Sequence, residues 1–263
     1  MIRTLQMSIK RNYIGFITIV IDEIKRFIKI WPQTLLSSAV TITLYFVIFS
    51  NLTNSIVENK YHITYAQFIA PGLIMMAIII NSYGNVSFSL WNHRLQHSIE
   101  EVLISPLPNY LILLGYTLGG VFRGIMVGAI VTGISLCFTN ISLPHVWIAL
   151  FIVTCTAALF ALAGFTNAIC AEKFDDILFV PNFILTPLIY LGGVFYSISQ
   201  LSEFWEMVSK TNPILYIINV FRYSILGITD INIYAGMAMI IGTIILLFVF
   251  NLYLLNKGVG VAS

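Results

Sequence analysis

Charge is what this sequence has least of. Only 9% of its 263 residues are Asp, Glu, Lys or Arg, against about 25% in an ordinary soluble domain. So little charge cannot cover a water-exposed surface, which excludes a soluble globular fold. The net charge of +2 excludes a nucleic-acid or other polyanion binder, and leaves the basic residues to matter by position. Cysteine is scarce too. Cys137, Cys155 and Cys170 lie in or at the ends of apolar runs, without metal-ligand spacing, so they read as small core residues and imply neither a disulfide framework nor a metal site.

Nucleotide chemistry is missing as well. There is no G-x-x-x-x-G-K-[ST] loop, no Gly-Lys dipeptide, no H-E-x-x-H and no G-x-S-x-G, the arrangements that cradle phosphates, bind zinc or expose a nucleophilic serine. The chain is therefore expected not to be an enzyme and to bind no cofactor. A cleavable leader is not expected either: the apolar stretch at 14–21 is short and is followed by Asp22, Glu23, Lys25, Arg26 and Lys29 without a small-residue cleavage site. The first spanning segment would then act as its own insertion signal.

What is abundant is apolar sequence, 59% of the chain. Six stretches approach or exceed the ~20 residues that a spanning helix needs: 33–52, 67–90, 111–138, 146–170, 178–198 and 234–255. Backbone in lipid must satisfy its own hydrogen bonds, so these are read as helices. The expected fold is an all-α membrane protein with three parts. A cytoplasmic N-terminus (1–32) carries an interfacial helix, a six-helix transmembrane domain covers 33–257, and a cytoplasmic tail covers 258–263. Lys and Arg fall asymmetrically. With the N-terminus inside, Arg3, Lys10, Arg11, Lys25, Arg26, Lys29, Arg94, Lys173 and Lys257 are cytoplasmic, Lys60, Lys210 and Arg222 are outside, and Arg123 lies within a span. That bias predicts cytoplasmic N- and C-termini.

Before the first span, 13–31 has helical periodicity. Ile17, Val20, Ile21, Ile24, Phe27, Ile28 and Trp31 form one stripe, opposed by Thr18, Asp22, Lys25, Arg26 and Lys29. Pro32 is expected to break the helix at Trp31. Such a helix lies in the cytoplasmic interface. It serves either as a plain anchor or as a brace, through Asp22, Lys25, Arg26 and Lys29, that carries motion from a cytoplasmic partner.

The loop 91–108 holds a capping box at Ser98 and Glu101, so a helix is expected over 99–105, stopped by Pro106. A helix that short is marginal in water unless something packs against it. Ile99, Val102 and Leu103 offer an apolar face, and Arg94, Glu100 and Glu101 offer charge, as a docking element for a soluble partner would. The bland alternative is a connecting loop. His93 and His97 share a face, but two ligands do not make a metal site.

In the third span, Arg123 stands among Gly119, Gly120, Gly124 and Gly128. A cation there is costly. It either snorkels inward beside a tight helix contact, or faces a pathway or a carboxylate such as Glu172. Gly120 and Gly124 are small residues four apart, which allows close helix approach. Acidic residues within the spans, the mark of proton or sodium coupling, are not found; Glu172, Asp175 and Asp176 fall in the loop after the fourth span. Beyond the fifth span, Leu201, Phe204, Trp205 and Val208 make a short stripe ended by Asn212 and Pro213. The segment 214–226 is apolar but too short to span, and reads as a re-entrant or interfacial helix. Tyr190, Phe195, Tyr196, Trp205 and Tyr216 fit an outer aromatic belt.

Three stretches carry a family resemblance: SIEEVLISPLP from Ser98 to Pro108, LGYTLGGVFRG from Leu114 to Gly124, and GGVFYS from Gly192 to Ser197 followed by NPILY at Asn212 and FRYSILG at Phe221. With these in order, the chain resembles the permease subunits of type-2 ATP-binding-cassette exporters, in particular small bacterial inner-membrane permeases. The resemblance covers about 10–257. It implies a permease homodimer bearing on two copies of a separately encoded ATPase that would hold ATP and Mg, with 99–105 as the coupling helix and two short external helices before the last span. Many drug exporters of the family have Gly-Thr where this chain has Ser98 and Ile99, yet the cap is retained. The family's cargoes are polysaccharides, lipids or hydrophobic drugs, and the scarcity of charge in the spans favours an amphiphilic or lipid-linked one. The alternatives are an ion-coupled carrier working alone and a non-transporting membrane scaffold.

Overall fold

The computed structural model describes residues 2–52, 63–96, 107–139 and 144–258, the side chains of 2–9 and 50–52 excepted. Among them the chain is all-helical. Helix α1 (Ile2–Lys29) is followed by a π-helical turn (Pro32–Leu36) that leads into α2 (Ser37–Leu52). Then come α3 (Tyr65–Leu95), α4 (Asn109–Phe138), α5 (Val146–Cys170), α6 (Phe174–Leu191), α7 (Glu203–Lys210), α8 (Pro213–Leu226) and α9 (Ile233–Asn256). Six of these segments are long and apolar enough to cross a membrane: Pro32–Phe49, α3, α4, α5, α6 and α9. The six-span, all-α membrane fold expected from the sequence is therefore the fold the chain has.

Helix α3 sits at the centre. In its most apolar window 83% of residues are buried, against 17% for the first span, 17% for α6 and 22% for α9. A helix covered on every side belongs to a bundle's core, and one exposed on a broad apolar face meets lipid or another subunit. Helix α3 packs on α4 and α5, α1 on α4, and α9 on α5 and α8. Close packing comes from small residues. A Cβ on Gly120 would lie 2.7 Å from Val86 Cγ2 of α3 and 2.8 Å from Ala161 Cβ of α5. Without a driving force for apolar burial in lipid, such backbone proximity and its dispersion contacts hold helices together.

Several boundaries depart from the sequence reading. Helix α1 begins at Ile2, well before 13. The break expected at Trp31 comes slightly earlier: α1 ends at Lys29 with a turn at Ile30, while Trp31, with φ of −53° and ψ of −39°, is itself helical. Pro32 stands at the start of the π turn, where its missing N–H is not required. The fifth span runs 174–191 and not 178–198. Asp175 and Asp176 form its first turn and do not belong to a loop. Asp176 accepts the backbone N–H groups of Lys173 and Glu172 at 2.9 and 3.0 Å, and a carboxylate is favourable at that end of a helix. A π-helical stretch, Val180–Leu185, accommodates Pro181. The helix ends at Gly192, and Gly193, with φ of +77°, turns the chain back.

Helix α8, the short apolar segment foreseen at 214–226, is mostly buried, packing on α3, α5 and α9. Asn212 caps it by accepting the N–H of Ile214 at 3.0 Å, and donates to the Leu188 carbonyl at 2.6 Å. Of the stripe read at α7, Phe204 and Trp205 are exposed, Leu201 and Val208 are half-buried, and Ser209 faces in.

Candidate functional site

Helix α3 carries polar residues at four-residue spacing, Asn81, Asn85, Ser89 and His93, which places them on one face. That face is buried and forms a polar seam with three other helices. Glu23 of α1, 2% exposed, is paired with Arg26 at 2.8 Å. It accepts from the Asn85 amide at 3.3 Å and from the Ser89 hydroxyl. Arg26 also donates to the Asn85 carbonyl and side-chain oxygens at 3.0 and 3.1 Å. Buried charges persist when they are paired and their remaining hydrogen-bonding capacity is met, and the Glu23 carboxylate has both. His93 Nδ1 lies 2.6 Å from the Tyr116 hydroxyl of α4.

The close seat of α1 depends on two glycines of α4. A Cβ on Gly119 would sit 2.6 Å from Glu23 Cβ, and one on Gly115 would sit 2.7 Å from Ile19 Cγ2. Helix α4 thus presents small residues on two faces, Gly115 and Gly119 to α1, Gly120 and Gly124 to α3 and α5. The seam continues upward through Arg123. Its guanidinium donates to the Asn81 side-chain oxygen at 3.2 Å and lies 5.9 Å from the Phe27 ring centroid. It turns into the bundle, where Asn81 offers a polar acceptor. Among the described residues no ion pair joins it to Glu172. Asn81 donates in turn to the Ser38 hydroxyl of α2 at 3.1 Å.

At the end of α3, Arg94 donates to the carbonyls of Ala168 and Ala171 at 2.8 and 2.7 Å. Those are carbonyls at the C-terminus of α5 that the helix itself leaves unpaired. Arg94 therefore ties the end of α3 to the α5–α6 corner. Ser98, Ile99, Glu100, Glu101, Val102 and Leu103, read as docking residues, and His97 lie outside the described residues. Of the residues read as a brace, Asp22, Lys25 and Lys29 are exposed on α1, and Arg26 alone enters the seam.

Two features escaped the sequence reading. One is Glu23, a buried carboxylate on α1, which places a buried acid inside the bundle although none falls within a span. Its signal was the polar ladder on α3, since four polar residues on one face of an apolar helix require partners. The other is the role of Arg222, which the sequence reading placed only among the basic residues of the outside segments. The residue is 1% exposed, donates to the Gly193 carbonyl at 2.6 Å and lies 4.2 Å from the Phe68 ring centroid, so it holds the α6–α7 turn against α3 and α8.

Comparison with known proteins agrees with this architecture. The family model described as ABC-2 type transporter matches residues 15–226. The inner membrane transport permease YadH of Escherichia coli (strain K12) is 46% identical over 243 residues, covering 92% of this chain and 94% of that protein. The protein of the same name from Shigella flexneri matches equally. The nodulation protein J of Rhizobium leguminosarum bv. viciae is 22% identical over 185 residues, covering 68% of this chain and 70% of the relative. With six apolar helices of spanning length, the chain belongs to the ABC-2 type transporter family, as a multi-pass inner-membrane permease.

Proposed function

We propose that the chain is the permease subunit of an ATP-driven exporter, assembled as a homodimer on two copies of a separate ATPase, with both termini cytoplasmic. The observation that carries this reading is the way α1 and the α5–α6 corner are both fastened to α3, whose end leads in sequence into 97–106. Glu23 and Arg26 fasten α1 to α3 through Asn85 and Ser89, and Arg94 fastens the end of α3 to the corner after α5. A push delivered to 97–106 by ATPase closure would move α1, α3 and the α5–α6 corner as one body. Rigid elements with few arrangements are what mechanical coupling requires. The positive-inside bias supports the orientation.

Affinity purification from native membranes in mild detergent, with mass spectrometry and an ATPase assay, tests the proposal. A stoichiometric P-loop ATPase with vanadate-sensitive activity is expected. Glu101→Arg or Ile99→Asp is expected to abolish its association or its stimulation while the permease stays inserted. A chain that remains alone after cross-linking rejects the exporter reading.

Glu23 gives an ion-coupled carrier one point of support, since such a carrier needs a buried carboxylate. Its pairing with Arg26 weighs against that role, because a coupling carboxylate must be free to exchange its ion. Cation-driven flux from the purified chain without ATP would reverse this ranking.

A further inference from the structure

We infer that the cleft between α2 and α3 binds the phosphate-bearing headgroup of an anionic amphiphile, with Arg123 supplying the attraction. The cleft encloses about 200 Å³ and is walled by Ser37, Ser38 and Thr41 of α2 and by Met76, Ile80 and Asn81 of α3, among others. Asn81 links it to the cation behind, donating to Ser38 and accepting from Arg123. Arg123 therefore stands one side chain away from the space.

The charge balance of the seam points to an anion. Glu23 is taken up by Arg26, and no carboxylate among the described residues pairs with Arg123. An uncompensated cation in apolar surroundings is costly, and an anion brought beside it lowers that cost. Arginine has five N–H donors; the hydrogen bond found for Arg123 is the one to Asn81, and its buried Nε has no acceptor. A buried donor without a partner requires an explanation, and a bound ion is one of the few available. Arg26 and Arg222 also leave Nε unbonded, but Arg26 has the Glu23 carboxylate, and Arg222 is enclosed by the Gly193 carbonyl and the Phe68 ring.

The surroundings favour an amphiphile over a free ion. Thr41 is exposed at the cleft, placing a hydroxyl where a phosphate would enter. Val40, Leu44 and Ile80 are exposed beside it at 51%, 54% and 38%, an apolar strip along which acyl or prenyl chains would lie. The cleft thus offers hydroxyls, a nearby cation and an adjoining apolar flank. A membrane phospholipid and a lipid-linked cargo share the chemistry it would recognise, a phosphate ester on a long apolar tail.

The purified full chain in detergent, without any ATPase, tests this independently of the exporter reading. Native mass spectrometry would follow titration with phosphatidylglycerol, a polyprenyl phosphate, phosphatidylcholine and inorganic phosphate. One or both anionic amphiphiles are expected to bind about tenfold tighter than phosphatidylcholine, with inorganic phosphate weak, a difference that one buried charge contact can supply. Arg123→Gln is expected to remove that preference and Arg123→Lys to keep most of it. Thr41→Phe, at an exposed position, is expected to block the cleft with Arg123 intact, and it carries the test together with Arg123→Lys if the glutamine variant does not fold. Selectivity for phosphatidylglycerol marks a bilayer lipid as occupant, and selectivity for polyprenyl phosphate marks a cargo; either supports the site. Unchanged preference in Arg123→Gln or Thr41→Phe, or no preference in the wild type, overturns it.

Discussion

Glu23 and Arg26 of α1 both reach Asn85 of α3, and their value lies in being a pair. Replacing Glu23 by Leu leaves Arg26 facing Asn85 without its carboxylate, and breaking a buried pair from one side costs about 3–5 kcal/mol. Unfolding of Glu23→Leu in detergent should show a loss of that order, and the double variant Glu23→Leu/Arg26→Leu should recover most of it. Recovery would not occur if the two residues acted separately. Arg222 offers a second test at this scale. Arg222→Met leaves the Gly193 carbonyl, now accepting at 2.6 Å, without its donor. A loss of about 1–3 kcal/mol is expected, read as a lower melting temperature.

Helix α1 is the element whose role the structure changes most. Amphipathicity alone assigns its basic face to headgroups. In the fold Ile21, Ile28 and Trp31 are exposed, and Glu23 and Phe27 are buried against α3 and α4. An ideal Cβ on Gly115 lies 3.1 Å from Ile19 Cβ, close to the ~3.5–4.5 Å between the Cβ atoms of a disulfide. The pair Ile19→Cys and Gly115→Cys, with Cys137, Cys155 and Cys170 replaced by Ser, should therefore cross-link under mild oxidant, as peptide mass spectrometry would show. Absence of the cross-link would mean that α1 is not seated on α4. Gly119→Leu should unseat α1 in the same assay, because overfilling a contact of 2.6 Å costs about 1–3 kcal/mol and the neighbour, Glu23 Cβ, is fixed to the α1 backbone and cannot swing aside.

At the scale of the molecule, α3 is the shaft and α2, α6 and α9 form the exposed surround. Their apolar faces, including Leu44, Phe183 and Leu246, suit lipid or a second copy. Cytoplasmic termini predict that a reporter active only outside the cytoplasm, fused after Lys257, is inactive, and that the same reporter fused after Lys210 is active. The opposite pattern would invert the orientation and place 97–106 where no ATPase could reach it.

The number and order of the spans were legible in the sequence, because a run of about 20 apolar residues has one stable state in lipid. The short helix at 214–226 was legible too, from its length and its Asn-Pro start. Span ends were less so. Pro181 looks like a break in one dimension, yet a π-helical stretch carries the fifth span through it. The partners of charged residues were not legible, since Glu23 and Asn85 stand 62 residues apart and pairing over that separation is decided by helix packing. Arg222 shows the same limit: its apolar neighbours on α8 do not reveal that Gly193, 29 residues earlier, turns a carbonyl toward it. The sequence by itself determined a six-span α-helical membrane protein, through hydropathy and the backbone's need for internal hydrogen bonds. Only the tertiary structure decided which polar groups meet, because a buried charge takes its meaning from whatever the folded chain places beside it.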